Sequence, residues 1–179
     1  PCHMLGGDFE NKTLLIVGAG RIGYATAMRS IGWGMNVLYV ARNGHPEFEK
    51  APINAMRVSL ETGLKKADYV SLHTPLSDET RHMIGRKQLD MMKSSAYLIN
   101  TARGPVIDEA ALVEVLREGR IAGAGLDVYE DEPRQHAGLA ELDNTCLMPH
   151  VGSASLDQRP LMARMAQENI VAVLQDKIP

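Results

Sequence analysis

Three polar residues, Arg103, Glu132 and His150, each lie just past a short apolar run, in LINTARGPVID, AGAGLDVYEDEP and LMPHVGSAS. An arginine can hold an anionic substrate, an imidazole can move a proton, and a carboxylate can tune that imidazole. Together they are the parts needed to deliver hydride and a proton to a 2-keto acid. A hydride carrier is implied upstream. Gly18-Ala19-Gly20-Arg21-Ile22-Gly23 follows the apolar run TLLIV and opens a helical pattern, the context that a dinucleotide fingerprint requires. Gly18 suits a tight turn, Gly20 leaves room for a pyrophosphate, and Gly23 lets a helix pack closely on a strand. The amides of Arg21 and Ile22 then face the phosphates at the positive helix end.

The cofactor preference is read at the end of the next apolar run, Leu38-Tyr39-Val40-Ala41-Arg42-Asn43. NAD-binding folds place an acidic residue about 20 residues past the glycines, where it accepts hydrogen bonds from the ribose 2′-hydroxyl. Here Ala41 takes that place, and Arg42 beside it can pair with a 2′-phosphate. NADP is therefore expected, with NAD as the alternative.

These residues need a frame that sets them along one edge. The chain alternates short β-like runs with helix-like stretches, the pattern of a parallel sheet with crossover helices. Strands are expected at Thr13 to Val17, Asn36 to Val40, Tyr69 to Leu72, Ala96 to Asn100, Ala122 to Leu126 and Thr145 to Met148. Helices are expected at Arg21 to Ile31, Ser59 to Ala67, Gly85 to Met92, Asp108 to Glu118 and Leu156 to Gln175. Asp108 is a candidate N-cap, and Gly119 and Gly123 are candidate breaks around the following strand. The fold class is α/β, a doubly wound parallel sheet, with residues 1–179 read as one dinucleotide-binding domain. In such sheets ligands bind at carboxyl strand ends, which is where Arg103, Glu132 and His150 would meet.

Composition removes other classes. The chain has 179 residues, of which 45% are hydrophobic, enough for one sizeable core. A net charge of −3 gives no broad basic field for nucleic acid. Cys2 and Cys146 show neither a metal-ligand spacing nor a disulfide framework, and no metal site is expected. No apolar run approaches the roughly 20 residues of a membrane helix. A cytoplasmic location follows as the expectation. His3, His45, His73, His82 and His136 are read as surface or packing residues. The start at Pro1, with no methionine, suggests a fragment or a processed product.

GAGRIG, HTPLSDETRHMI, LINTARGPVIDEAAL, GLDVYEDEP and MPHVGSAS, in this order, resemble the D-isomer-specific 2-hydroxyacid dehydrogenases from about Gly7 onward. Within that family the Ala41-Arg42 strand end and the HVGSAS turn are most similar to glyoxylate and hydroxypyruvate reductases. The resemblance implies that Arg103 binds the substrate's carboxylate and keto oxygen, that His150 donates the proton, and that Glu132 holds His150 protonated. It further implies that Asp127 contacts the nicotinamide amide. Thr74-Pro75 and Thr101-Ala102 would line the ribose sides, and Gly152-Ser153 would form the turn over the nicotinamide.

The same resemblance implies a two-domain, homodimeric parent whose substrate domain is absent from this chain, so that the chain alone binds cofactor with little catalysis. Its partners would be a small 2-keto or 2-hydroxy acid, with neither nucleic acid nor membrane. Two alternatives stay open: a dinucleotide-sensing corepressor, and another dehydrogenase of the family such as one acting on phosphoglycerate, lactate or phosphite. Glu132 before Pro133 argues against a formate dehydrogenase, where the family pattern pairs the histidine with glutamine.

Overall fold

The computed structural model describes residues 7–178; Cys2 and His3 lie outside the described residues. The chain forms two compact units, the first running to Pro149 and the second beginning at His150.

The first unit is built on β1 (Thr13–Val17), β2 (Asn36–Val40), β3 (Met56–Arg57), β4 (Tyr69–Leu72), β5 (Tyr97–Asn100), β6 (Gly123–Leu126) and β7 (Thr145–Leu147). They form one sheet of order β3-β2-β1-β4-β5-β6-β7, and every neighbouring pair is parallel. The connections carry α1 (Arg21–Ile31), α2 (Pro46–Glu49), α3 (Leu60–Lys66), α4 (Arg86–Leu89) and α5 (Glu109–Arg117). The doubly wound sheet expected from the alternating pattern is thus present.

Alternation along β1 explains why it reads as continuously apolar. Leu15 and Val17 enter one core with Leu64 of α3, Leu89 of α4 and Leu112 of α5, while Leu14 and Ile16 enter a second with Ala27 of α1 and Phe48 of α2. A strand buried on both faces shows no polar period. On the α1 side, the sheet beyond β1 is less covered. There Tyr69 and Tyr97 stack with ring centroids 5.4 Å apart, and Tyr97 is 38% exposed.

Helix starts follow local hydrogen bonding. The Ser59 hydroxyl accepts from Thr62 N at 3.2 Å ahead of α3, and the Asp108 carboxylate accepts from Ala111 N at 3.0 Å ahead of α5. Asp108 is therefore the N-cap that its position suggested. Several boundaries differ from the expectation. α4 stops at Leu89 because Met91 N and Met92 N bond to Gln88 O and Leu89 O, three residues back, which tightens the chain out of the α-helix. Gly119, at φ +65°, does close α5, whereas Gly123 is the first residue of β6 and not a break. β3 and α2 are additional, and both are too short to carry a periodic signal.

The second unit consists of a turn and α6 (Gln158–Leu174), which starts two residues later than expected. Ser155 Oγ accepts from Gln158 N at 3.0 Å, and Arg164 and Glu168 pair at 2.7 Å on successive turns. Among the described residues no helix is long and apolar enough to cross a membrane, and no cluster of three or more metal-ligating side chains occurs.

Candidate active site

The strand order reverses between β1 and β4, and the carboxyl ends of those strands frame a crevice. His73 N donates to Val17 O at 2.7 Å, and Gly18 N donates to Val40 O at 3.0 Å, so Gly18 sits at the junction of three strand ends. Its φ is +105°, and a Cβ there would lie 2.7 Å from His73 O. A Cβ on Gly23 would lie 2.3 Å from Gly18 O, so α1 can pack against the turn only because residue 23 is glycine. Gly20 differs: nothing lies within 4 Å of the position its Cβ would take, which leaves the backbone open to a ligand.

α1 begins at Arg21 with Gly20 as its N-cap, no side-chain cap and no acidic residue in the first turn. The first amides of the helix and its positive dipole end are thus left for an anion. Beside them, Thr74 Oγ1 is the one buried side-chain polar atom among the described residues without a hydrogen-bond partner. A buried hydroxyl left unmatched in the protein calls for a partner from outside it, which a ligand's polar group can supply. Open glycine, uncapped helix start and orphan hydroxyl together fit a dinucleotide. Pro75 shapes the same edge, its carbonyl accepting from Thr80 Oγ1 at 2.7 Å. At the end of β2, Ala41 is partly buried and Arg42 exposed.

His73 is a packing residue, as expected. Burial pushes its imidazole down to about 4, and its Nε2 lies 2.9 Å from Ser71 Oγ.

Arg103 is set by Asn100, the last residue of β5. Asn100 is 1% exposed; its Oδ1 accepts from Ala102 N at 3.0 Å and its Nδ2 donates to Arg103 O at 3.0 Å. One side chain thereby folds the whole Thr101-Ala102-Arg103 loop. The Arg103 guanidinium is exposed and donates to Ala102 O at 2.6 Å.

The Arg103 loop lies directly on the loop after β6. A Cβ on Gly104 would stand 1.9 Å from both Tyr129 C and Tyr129 O, so the two backbones touch. Asp127, 7% exposed, begins that second loop, and its N donates to Asn100 O at 3.0 Å. Glu132 is exposed at its far end, with Oε1 accepting from Tyr129 N at 3.1 Å. Tyr129 OH in turn donates to Met148 O at 2.8 Å, anchoring the chain two residues ahead of His150.

A clasp absent from the sequence reading holds this loop from below. Glu109 accepts from Glu130 N at 2.6 Å, and Glu130 accepts from Glu109 N at 3.2 Å. His82 Nε2 also bonds the Glu130 carboxylate. Glu109 is 4% exposed, and burial raises its carboxyl above the usual range. Its apolar surroundings in DEAALVEVL give no hint of this role.

Arg103, Glu132 and Asp127 thus belong to the first unit, at the carboxyl ends of β5 and β6. His150 opens the second unit with φ +54°, followed by exposed Gly152 and Ser153.

A parallel sheet of this order with a glycine turn at its switch point defines a dinucleotide-binding α/β domain. Comparison with known proteins narrows the class. Residues 1–152 match the model for the D-isomer specific 2-hydroxyacid dehydrogenase, NAD binding domain. The chain is 49% identical over 179 residues to a glyoxylate reductase of Thermococcus litoralis, covering 100% of this chain and 54% of the relative. A solved protein from Thermus thermophilus superposes with a TM-score of 0.92 at 46% identity, covering 100% of this chain and 56% of the other. A glyoxylate reductase from Paecilomyes thermophila gives 0.91 at 40% identity, covering 98% and 53%. The chain belongs to the D-isomer specific 2-hydroxyacid dehydrogenase family. Its cofactor class is a nicotinamide dinucleotide, and it spans about half the length of the relatives it matches.

Proposed function

We propose that this chain is the dinucleotide-binding half of a reductase acting on a small 2-keto acid, with glyoxylate or hydroxypyruvate favoured. The observation that carries this reading is the direct backbone contact of Gly104 with Tyr129, which sets the Arg103 loop against the Glu132 loop. NADP as the preferred cofactor, a cytoplasmic location and a homodimeric full-length form belong to the same proposal. The NADP preference is supported by Ala41 and Arg42 at the end of β2, and the glyoxylate reading by the names of the relatives.

When bound, the dinucleotide supplies a hydride from its nicotinamide ring. Gly18, Gly20, Arg21, Ile22 and Gly23 would hold its pyrophosphate. Thr74, Pro75, Thr101 and Ala102 would line its riboses, and Asp127, Gly152 and Ser153 would border the nicotinamide. The Arg103 guanidinium binds the substrate carboxylate in two-pronged fashion. His150 would donate a proton to the keto oxygen through its imidazole N–H, and Glu132 would supply the carboxylate of the catalytic set. Arg103 also orients the keto oxygen, whose developing negative charge its guanidinium stabilises.

The test is reduction of glyoxylate, hydroxypyruvate and pyruvate with NADPH and NADH by the full-length form, with this chain run beside it. Arg103→Ala and His150→Ala should each lower turnover by about 100-fold or more while dinucleotide affinity stays within about twofold. This chain alone should bind dinucleotide with little turnover. Normal turnover in either variant overturns the assignment.

A further inference from the structure

The end of β2 carries a second cation that its own sequence does not reveal. Arg57 is the last residue of β3 and lies in register with Tyr39 of β2. Its guanidinium reaches along the sheet edge to the two residues that follow β2. Nε donates to Ala41 O at 3.1 Å, and Nη2 donates to Arg42 O. These bonds use two of the five N–H groups of a guanidinium, and they fix the plane of the fork beside the strand end.

The surrounding charges are Arg42 itself, Glu49 and Glu79. Glu49 accepts from the Tyr39 hydroxyl at 2.5 Å, and the Glu79 carboxyl is held low first by the hydrogen bond from Ser77 and its own backbone N–H, with the Arg42 charge adding to them. At the position where a 2′-hydroxyl would call for an acid there is Ala41, flanked by one arginine in sequence and a second in space. A guanidinium held by backbone carbonyls also loses little side-chain freedom when it takes up an anion.

We propose that Arg57 is a specificity-determining residue, supplying with Arg42 the positive charge that receives the 2′-phosphate of NADP. The proposal rests on the reading that the chain prefers the phosphorylated cofactor. It extends that reading from β2 to β3 and gives the short edge strand a role beyond completing the sheet.

Equilibrium binding of NADPH and NADH to this chain tests it, followed by nicotinamide fluorescence. The unaltered chain should bind NADPH at least tenfold more tightly than NADH, because a phosphate paired with guanidinium adds charge-assisted bonds. Arg57→Gln keeps a donor for the carbonyls and removes the charge. It should weaken NADPH about tenfold and NADH less than twofold, whereas Arg57→Lys, which keeps the charge but not the fork, should weaken NADPH less than Arg57→Gln does. Equal weakening of both cofactors in Arg57→Gln would mean that Arg57 is only a backbone clasp, and the proposal fails. An unaltered chain that prefers NADH overturns the underlying cofactor reading. An NADPH preference untouched by Arg57→Gln overturns the role of Arg57 alone.

Discussion

Gly104 is pressed against Tyr129 so closely that an added methyl group would fall 1.9 Å from the Tyr129 carbonyl carbon. No side-chain adjustment relieves a clash with backbone, so Gly104→Ala must push the two loops apart. We expect a loss of about 2–4 kcal/mol of stability, read as a lower urea midpoint with an unchanged slope. In the full-length form turnover should fall further than dinucleotide affinity. An unchanged midpoint would show that the loops are not in contact.

Thr74 separates ligand binding from folding. Its Oγ1 is buried without a partner, so Thr74→Val should leave the ligand-free chain equally stable or slightly more so. The same substitution should weaken dinucleotide binding roughly tenfold, since a hydrogen bond to the ligand is lost. Full affinity in the variant would remove Thr74 from the site.

Glu109 carries a pH signature. Burial, with the charge of Glu130 adding to it, raises its carboxyl against the opposing hydrogen bond from Glu130 N. A carboxyl raised on folding stabilises the fold below its unfolded pKa, near 4.5, and that contribution is lost as pH rises through the folded value. Glu109→Gln keeps an acceptor for Glu130 N and removes the titration. Its stability relative to the unaltered chain should therefore improve between pH 4 and pH 7. A difference that stays constant across that range would sink the prediction.

His73 has the opposite sign. Its imidazole is lowered from 6.5 to about 4 by burial, so the unfolded chain binds a proton that the folded chain refuses. Stability from this residue is full above pH 6.5 and declines toward pH 4, by on the order of 3 kcal/mol in total. Denaturation at pH 7.5, 5.5 and 4.5 should show a shallower acid decline in His73→Gln. Identical slopes would place the acid sensitivity elsewhere.

What could be read from the sequence was what depends on neighbours along the chain. Gly18, Gly20 and Gly23 announce themselves because a turn, a ligand approach and a helix packing each forbid a side chain at fixed spacing. β1 was legible because burial on both faces removes every polar residue from it. Asn100 and Glu109 were not, because each works by bonding backbone groups of a loop: Asn100 across two and three residues, Glu109 across 21. Arg57 was invisible for a related reason. Its strand has two residues, and only the sheet brings it to Ala41, 16 positions away.

The strand order also governs how the molecule assembles. β1 finds β2 within a short stretch of chain, but on its other side it must pair with β4, and the bond from Thr13 N to Asp68 Oδ2 spans 55 residues. Closing so long a loop loses chain entropy before contacts compensate, which makes it a slow step. The crevice proposed for the dinucleotide lies between those two strands. A chain in which β1 has not yet paired with β4 therefore has its glycine fingerprint and only one wall of that crevice, so a dinucleotide bound there favours the paired state.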